Sequence, residues 1–405
     1  MSEWKVLTAE DFCDSVRDGT HDTPKQVECG YKLVTAKHIS NGQIDLSDAY
    51  LISESDYLKI NERSKVERWD VLMSMIGNGL GKSAVVKDNP QYAIKNLALF
   101  KIGDETRAKW LHYYLSSNKG QGFIYNSLQG SGQPFISLSL LRKFPIPVPD
   151  DEKIMRKVVA TLSRYDSLIE NYQKQIKLLE EAAQRLYKEW FVDLHFPGHE
   201  NTKIVDGVPE GWEKNTINDV CTLITSGSTP SRNKNSYWEN GTIRWVKTKE
   251  LLDSWILDTE EYITQEGYNN SSTKLFPANT ILMAIYASPT LGRLGILSAE
   301  CCCNQAALGL IADEKVISWQ WLFWKLYELR DEFNAIARGA GQQNISGIVV
   351  KNKEIVIPAK RVIDGFTSVV STMFEQQKNL QSQIRLLTEA RDRLLPKLMG
   401  GEIAV

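Results

Sequence analysis

The sequence contains no uninterrupted run of the ~18 apolar residues that a membrane-spanning helix needs. Its opening residues, MSEWKVLTAEDF, lack the apolar core of a secretory signal peptide. Cysteine is scarce, and no two cysteines form a C-x-x-C pair; they are Cys13, Cys29, Cys221, Cys301, Cys302 and Cys303. Because adjacent cysteines cannot converge on one tetrahedral metal, we expect reduced, mostly buried thiols and no metal site. These absences predict a cytoplasmic protein that does not span a membrane.

A large excess of positive charge is also missing. Lys and Arg total 48 against 50 Asp and Glu, which gives a formal net charge of −2. This balance excludes a protein coated in positive charge, but it allows one whose Lys and Arg are gathered on one face. With 405 residues, the chain is long for one domain. We therefore expect two globular domains with connecting segments.

The sequence has no complete catalytic motif. GNGLGKS (Gly77–Ser83) is one residue too short for a phosphate-binding loop, and NPQY (Asn89–Tyr92) lacks the second proline of the N-P-P-Y motif of adenine methyltransferases. His195 and His199 are separated by a proline and a glycine, which preclude the helix that would direct both at one metal. We predict no catalytic residues, no metal ligands and no enzymatic activity in this chain.

What the sequence does contain is two long amphipathic stretches. In Asp151–Trp190 the apolar residues recur at alternating steps of three and four, and Lys360–Leu398 has the same rhythm, with Phe366, Val369 and Met373 near its start. This spacing predicts two helices, the first roughly 60 Å long, which pack on each other as an antiparallel coiled coil. The apolar residues of these seams include Ile176, Leu179, Leu186, Trp190, Leu380, Ile384, Leu387 and Leu394.

An internal repeat relates the two halves of the chain. QGSGQPFIS (Gln129–Ser137) returns as RGAGQQNIS (Arg338–Ser346), about 210 positions later. YKLVTAKHI, which begins at Tyr31, resembles IRWVKTKEL, which begins at Ile243. LGKSAVV and LGRLGIL are related at a similar separation. The matches keep their order, so we interpret the chain as a tandem duplication of a globular domain followed by a long helix.

Each half has short β-type runs, broken by Asn, Gly, Asp and Pro, and helical segments. In the first half the predicted strands are Lys32–Ala36, Val71–Ile76, Ser83–Lys87 and Leu97–Ile102. Helices are predicted at Arg107–Ser116 and Trp319–Ile336. The fold class is therefore α+β, with two similar mixed α/β domains and two long helices. The predicted boundaries are 1–150 and 213–358 for the domains, 151–192 and 359–400 for the helices, 193–212 for a linker and 401–405 for a tail.

Basic and amide side chains occupy matched positions in the two halves. Lys37 matches Lys249, Lys82 matches Arg293, and Gln133 matches Gln342, which Gln343 follows. A polar loop of the second half adds Arg232, Asn233 and Lys234. Lys and Arg bind phosphates and guanine edges, and Gln and Asn bind adenine. We predict that these residues contact DNA; the alternative is that they belong to polar turns that are merely exposed.

Several motifs resemble one known family. They are G-Q-x-x-I, present twice (Gly132/Gln133/Ile136 and Gly341/Gln342/Ile345), LYKEWFVDLHFPG after the first helix, VPEGW before the second domain, and ARDRLLPKLMGGEI (Ala390–Ile403) at the end. Over nearly its whole length the chain resembles the specificity subunits of type I restriction–modification systems. The resemblance implies two target-recognition domains that each read half of a bipartite, gapped double-stranded DNA sequence.

The same resemblance implies partners. The helices would act as a spacer and, along the seam residues named above, as the dock for two methyltransferase subunits, which restriction–translocase subunits then join. S-adenosylmethionine, ATP and magnesium would belong to those partners, and none of them to this chain. Three alternatives stay open. They are a specificity subunit of a methylation-only or other phage-defence system, a coiled-coil scaffold whose globular halves bind proteins, and a cryptic nuclease or methylase activity, which the absent motifs disfavour.

Overall fold

The computed structural model of the protein describes residues 4–40, 42–129, 134–286, 290–338 and 344–403. The chain divides into two compact units. The N-terminal unit combines Met1–Leu168 with Leu387–Val405, and the C-terminal unit is Ile169–Leu386. Each unit thus contains one globular domain together with segments of both long helices.

The N-terminal unit is mixed in secondary structure. Its strands are β1 (Trp4–Thr8), β2 (Ser15–Asp18), β3 (Tyr31–Val34), β4 (Ile39–Ser40), β5 (Gln43–Ile44), β6 (Leu51–Ile52), β7 (Val71–Ser74), β8 (Ser83–Val85), β9 (Tyr92–Ile94), β10 (Leu97–Lys101) and β11 (Pro145–Pro149). Its helices are α1 (Ala9–Phe12), α2 (Glu54–Ser64), α3 (Glu105–Ser116), α4 (Asn118–Asn126), α5 (Leu138–Arg142) and the start of α6 (Glu152–Tyr187). Short 3₁₀ turns occupy Ala36–His38 and Gly77–Gly79.

An antiparallel sheet in the order β2-β10-β7-β8 is the centre of this domain. Side chains of β10 alternate between two cores: Ala98 and Phe100 pack in one, and Leu97 and Leu99 in the other. Because both faces of the strand are covered, it is a continuous apolar run in the sequence rather than an alternating one. A second sheet has the order β6-β3-β9, and β1 pairs with β11 so that the start of the domain adjoins its end.

The C-terminal unit repeats this organisation. Its strands are β12 (Ile204–Val205), β13 (Val208–Pro209), β14 (Glu213–Thr216), β15 (Cys221–Ser226), β16 (Ile243–Val246), β17 (Ser254–Ile256), β18 (Glu261–Ile263), β19 (Ile281–Ala284), β20 (Leu294–Leu297), β21 (Cys302–Cys303), β22 (Ala307–Ala312) and β23 (Glu354–Ile357). Its helices are α7 (Gln265–Asn269), α8 (Trp319–Glu328), α9 (Arg330–Arg338), α10 (Gly347–Lys351) and most of α11 (Lys360–Met399). A π-helical turn at Lys188–Val192 continues α6, and 3₁₀ turns occupy His199–Asn201, Ile217–Val220, Asn235–Tyr237 and Thr248–Glu250.

The sheets of the second domain correspond to those of the first. The order β15-β22-β19-β20 matches β2-β10-β7-β8, with β17 added at the edge. The order β18-β16-β21 matches β6-β3-β9, and in both sheets the central strand is parallel to one neighbour and antiparallel to the other. The predicted duplication of a mixed α/β domain is therefore confirmed at the level of strand order.

Within each unit, segments of α6 and α11 join the core of the globular domain. In the N-terminal unit, Val158 and Leu162 of α6 share a core with Leu395 and Leu398 of α11. In the C-terminal unit, Tyr187 and Trp190 lie beside Phe366, while the earlier Glu180 and Gln184 line a cleft with the later Phe374 and Gln377. The residue numbers rise along one helix as they fall along the other, so the two helices are antiparallel, as predicted.

The register of the second seam differs from the prediction at Val369. This side chain is 44% exposed, whereas the adjacent Val370 is fully buried. The buried residues of α11 in the C-terminal unit are Val362, Ile363, Phe366, Val370, Phe374, Gln377 and Leu380. Steps of three and four both keep a side chain on one face of a helix. Sequence spacing alone therefore does not decide which of the two neighbouring valines is buried.

Two further expectations can be compared with the structure. The segment predicted as one helix, Trp319–Ile336, forms two helices that meet at Leu329. The cysteines are free thiols. Those that are buried are Cys13, Cys301, Cys302 and Cys303, whereas Cys221 is half-buried and Cys29 is exposed. Burial raises the pKa of Cys302 to about 11, so this thiol stays protonated and unreactive at neutral pH.

Candidate nucleic-acid interface

Lys37 and Lys249 occupy the same structural position in the two domains. Each is the middle residue of a 3₁₀ turn that follows the central strand of the smaller sheet. Each turn is closed by a side chain that accepts a hydrogen bond from a backbone N–H three residues earlier. His38 Nδ1 accepts from Thr35 at 2.8 Å, and Glu250 Oε1 accepts from Lys247 at 2.9 Å. The sequence match between the two lysines is therefore a match in conformation.

Each of these lysines forms an ion pair with a carboxylate eleven residues later in the chain. Lys37 Nζ lies 2.7 Å from Asp48 Oδ2, and Lys249 Nζ lies 2.5 Å from Glu260 Oε2. Both lysine side chains remain more than half exposed, at 58% and 60%. Hydrogen bonds from the lysines lower the pKa of Asp48 and of Glu260, so both carboxylates are ionised at neutral pH.

Lys82 and Arg293 also correspond. Each follows a glycine in the left-handed conformation, Gly81 at φ 81° and Gly292 at φ 78°. Both glycines donate their N–H to the preceding strand at 2.9 Å, Gly81 to Ser74 and Gly292 to Ala284. A side chain at either glycine would require this strained φ, so the turn needs glycine there. Lys82 is exposed, whereas Arg293 is half-buried.

The predicted glutamines Gln133, Gln342 and Gln343 lie outside the described residues. The isoleucines that close their motifs, Ile136 and Ile345, are described and buried. Ile136 N–H donates to Met75 O, and Ile345 N–H donates to Ile285 O, both at 3.0 Å. In both domains this residue anchors the end of the motif beside the strand that precedes the glycine turn.

The polar loop of the second domain is held by aromatic side chains. The Arg232 guanidinium lies 3.6 Å from the ring centroid of Trp238 and 4.8 Å from that of Trp245, and its Nη1 is 2.6 Å from Glu261 Oε2. Lys234 Nζ donates to the Tyr237 hydroxyl at 2.9 Å, and this bond raises the pKa of the lysine. Asn233 between them is exposed. Arg232 thus has an intramolecular role in addition to any contact with DNA.

An acidic segment, which the sequence analysis did not single out, contacts the basic side chains of Arg232 and Lys249. It consists of Asp258, Glu260 and Glu261. The missed partner is Lys247, whose Nζ lies 2.7 Å from Glu261 Oε1 and 3.0 Å from Glu260 Oε2. The signal that could have revealed the segment is the equal spacing of lysine and carboxylate in both repeats, from Lys37 to Asp48 and from Lys249 to Glu260.

The predicted spacer residues lie along the two long helices. In the C-terminal unit Ile176 and Leu380 are buried, and the half-buried ones are Leu179, Leu186, Trp190 and Ile384. In the N-terminal unit Leu387 and Leu394 are half-buried. A methyl group added at Gly365 would lie 3.6 Å from the Trp190 ring, which shows how closely the helices approach there. Tyr187, which the sequence analysis did not select, is more deeply buried than Leu186.

The described ranges contain neither a cluster of potential metal ligands nor a helix that could span a membrane. Over those ranges, His, Cys, Asp and Glu side chains nowhere gather in a group of three that could hold a metal ion. None of the helices that the structure describes is both long enough and apolar enough to cross a membrane.

Comparison with known proteins is decisive for the family. The family model described as "Type I restriction modification DNA specificity domain" matches the chain twice, over residues 1–181 and 209–384. The chain belongs to this family. Its two matched regions contain the duplicated domains described above. The family consists of specificity subunits, which are non-catalytic subunits of type I restriction–modification systems.

Curated relatives and a solved structure agree with this assignment. The type I restriction enzyme MjaIX specificity subunit of Methanocaldococcus jannaschii is 28% identical over 310 residues, which cover 75% of this chain and 70% of the relative. The HindI specificity subunit of Haemophilus influenzae is 23% identical over the full length of both chains. The S subunit of a type I system from M. genitalium has the same fold, with a TM-score of 0.60 at 15% identity over 98% of this chain and 96% of the other.

Proposed function

We propose that each globular domain reads one half of a bipartite, gapped sequence in double-stranded DNA. The observation that carries this proposal is the structural equivalence of Lys37 and Lys249. Two domains of one fold present an exposed cation on the same turn, as two related readers of DNA would. The exposed Lys82 and its counterpart Arg293 add a second matched pair of basic side chains.

The residues around the matched turns differ between the domains. His38 lies next to Lys37, whereas Glu250 lies next to Lys249, and the Arg232 loop with its two tryptophans belongs to the second domain. Similar backbones with different side chains would contact phosphates alike and bases differently. This difference supports two distinct half-sites rather than one sequence read twice.

The long helices are proposed to dock two methyltransferase subunits, which restriction–translocase subunits join. Antiparallel packing supports this arrangement, because a duplicated chain with antiparallel helices offers two similar surfaces to two copies of one partner. S-adenosylmethionine, ATP and magnesium are assigned to those partners, and the assembly is proposed to act in the cytoplasm.

Domain exchange tests the proposal. The chain is produced with methyltransferase subunits, its first globular domain (residues 1–150) is replaced by that of a relative, and methylated positions are mapped across a genome. We expect one half-site to change, with the other half-site and the gap retained. The matched control exchanges residues 213–358 and should change the opposite half-site.

Two results would contradict the proposal. A methylation pattern that is unchanged by either exchange would show that the domains do not read DNA. If the globular domains bound a stable protein partner and the complex showed no preference for any DNA sequence, the chain would instead be a coiled-coil scaffold.

A further inference from the structure

Three of the residues predicted to contact DNA, Lys37, Arg232 and Lys249, form ion pairs with carboxylates of their own domain. In the second domain, Glu260 binds Lys247 and Lys249, and Glu261 binds Lys247 and Arg232, at 2.5–3.0 Å. Asp258 lies 2.7 Å from Arg385 of α11 and 3.5 Å from Arg244. Three carboxylates thus contact five cationic side chains along one short segment.

The first domain has a smaller version of the same arrangement. Asp48 Oδ2 contacts Lys37 at 2.7 Å, and its Oδ1 lies 3.1 Å from Nε2 of the buried His38. Asp48 itself is well exposed, at 64%. The pairing of the equivalent lysine with a carboxylate therefore occurs in both domains, although the acid and its surroundings differ.

The backbone holds these carboxylates in place independently of the ion pairs. The N–H groups of Lys247 and Glu260 both donate to the side chain of Glu250, at 2.9 and 3.0 Å. Thr259 Oγ1 donates to Glu261 O at 2.7 Å. In the first domain, Asp45 N–H donates to His38 O, and Ser47 N–H donates to Asp45 Oδ1, just before Asp48. Neutralising Glu260 or Asp48 therefore leaves the loop in its position.

Exposed ion pairs of this kind add little to folding stability, because water screens them and the side chains lose freedom. Their effect on binding is larger. Carboxylate oxygens accept hydrogen bonds from Lys and Arg as phosphate oxygens do. A phosphate that approaches Lys249 must therefore displace Glu260 before it gains a contact.

We propose that Asp48 and the Asp258–Glu261 segment occupy the phosphate positions of the DNA-free domains and so weaken binding to DNA of any sequence. This inference rests on the proposed function. Phosphate contacts supply most of the free energy of binding to random DNA. The cost of displacing the carboxylates therefore weakens this binding directly. A cognate sequence adds base contacts that compensate for the displacement. The cost of displacing the carboxylates is the same for both kinds of DNA, and the base contacts keep the cognate complex bound in spite of it.

Neutral variants of these acids test the inference in the full chain assembled with methyltransferase subunits. The variants are Glu260→Gln and, in the other domain, Asp48→Asn. Binding to a cognate and to a scrambled duplex is measured by fluorescence anisotropy over a range of salt concentrations. For scrambled DNA we expect the slope of log affinity against log salt concentration to be steeper by about 0.9 in the variant. If the variant and the unmodified complex bind equally at 1 M salt, the variant then binds about eightfold more tightly at 0.1 M. Cognate affinity should rise by a similar factor, because the same carboxylate is displaced in the cognate complex.

Two controls separate this effect from a change in net charge. Glu239→Gln removes an exposed carboxylate outside these ion pairs and should leave the slope unchanged. The double variant Glu260→Gln/Lys249→Ala should gain less affinity over Lys249→Ala than Glu260→Gln gains over the unmodified chain, because Lys249 is then missing and Lys247 still pairs with Glu261. A Glu260→Gln complex that matches Glu239→Gln on scrambled DNA, while the unmodified complex still prefers its cognate duplex, would overturn this inference alone. An unmodified complex without any preference would overturn the proposed function and this inference with it.

Discussion

Arg391 and Asp166, which are 225 residues apart in the sequence, form an ion pair of 2.8 Å in the N-terminal unit. The other oxygen of Asp166 accepts a 2.5 Å hydrogen bond from the Tyr113 hydroxyl. One carboxylate thus joins the final helix, the first long helix and α3 of the globular domain. Both members of the ion pair are about two-thirds buried, so water screens them less than a surface pair.

Arg391→Ala is expected to lower the free energy of unfolding by about 1–2 kcal/mol, because it removes a charged hydrogen bond and leaves Asp166 with less compensation for its burial. Urea denaturation measures the change. The control is Arg393→Ala on the same helix, whose arginine is 78% exposed and should cost less than about 0.5 kcal/mol. Equal losses for the two variants would show that the Arg391 pair does not stabilise the unit.

Val370 and Val369 form a matched pair for testing the register of α11. Val370→Ala removes two buried carbon atoms from the core of the C-terminal unit and should cost about 2 kcal/mol. Val369→Ala changes a side chain that is 44% exposed and should cost less than about 0.5 kcal/mol. Thermal and urea unfolding of both variants measure the difference. A larger loss for Val369→Ala would restore the register predicted from the sequence.

His112 should make the N-terminal unit sensitive to mild acid. Burial lowers the pKa of His112 to about 4; Asp166 opposes this shift, and Arg391 and Lys87 add to it. The unfolded histidine has a pKa of about 6.5, so between pH 6.5 and 4 the unfolded state binds more protons than the folded state. The stability linked to His112 is therefore complete above pH 6.5 and declines as the pH falls through that window.

The variant His112→Asn keeps a polar atom near the imidazole Nδ1, which lies 2.9 Å from Ser83 Oγ. Its melting temperature should be below that of the parent at pH 7.5, and the difference should shrink at pH 5. Calorimetric scans across this range provide the measurement. A difference that is constant with pH would mean that His112 does not titrate on unfolding.

The matched lysines predict how DNA binding responds to mutation. Lys37→Ala and Lys249→Ala, taken singly, should each weaken cognate binding by the assembled complex. Loss of a phosphate contact lowers affinity for all DNA and reduces the salt slope by about one unit, whereas loss of a base contact relaxes one position of one half-site. Lys59→Ala, at an exposed lysine of α2, is the comparison variant. Unchanged affinity and slope in both lysine variants would show that neither residue contacts DNA.

The long helices and the duplication were predictable because they depend on periodicity and self-similarity. An apolar seam over Asp151–Trp190 required a helix, and the structure places it at Glu152–Tyr187 with a π-helical turn beyond. Equivalent turns could be inferred for Lys37 and Lys249 from a match of a few residues. All of these features are local in sequence or repeat at a fixed separation.

Other features depend on contacts between distant residues, which no local pattern records. Trp238 and Trp245 hold the Arg232 side chain, and its charge pairs with Glu261, which lies in strand β18. The choice of Val370 over Val369 depends on which neighbouring helix surface the seam meets. Side-chain partners of this kind follow only from the folded chain.

The core of the N-terminal unit contains Leu395, Leu398 and Met399 beside Val158 and Leu162. Synthesis proceeds from the N-terminus, so the first domain leaves the ribosome long before the residues that complete its core exist. During that interval its apolar surface stays exposed while the rest of the chain is synthesised. A premature stop codon after Leu386 would therefore leave the first domain with an open core, although every codon of that domain had been translated.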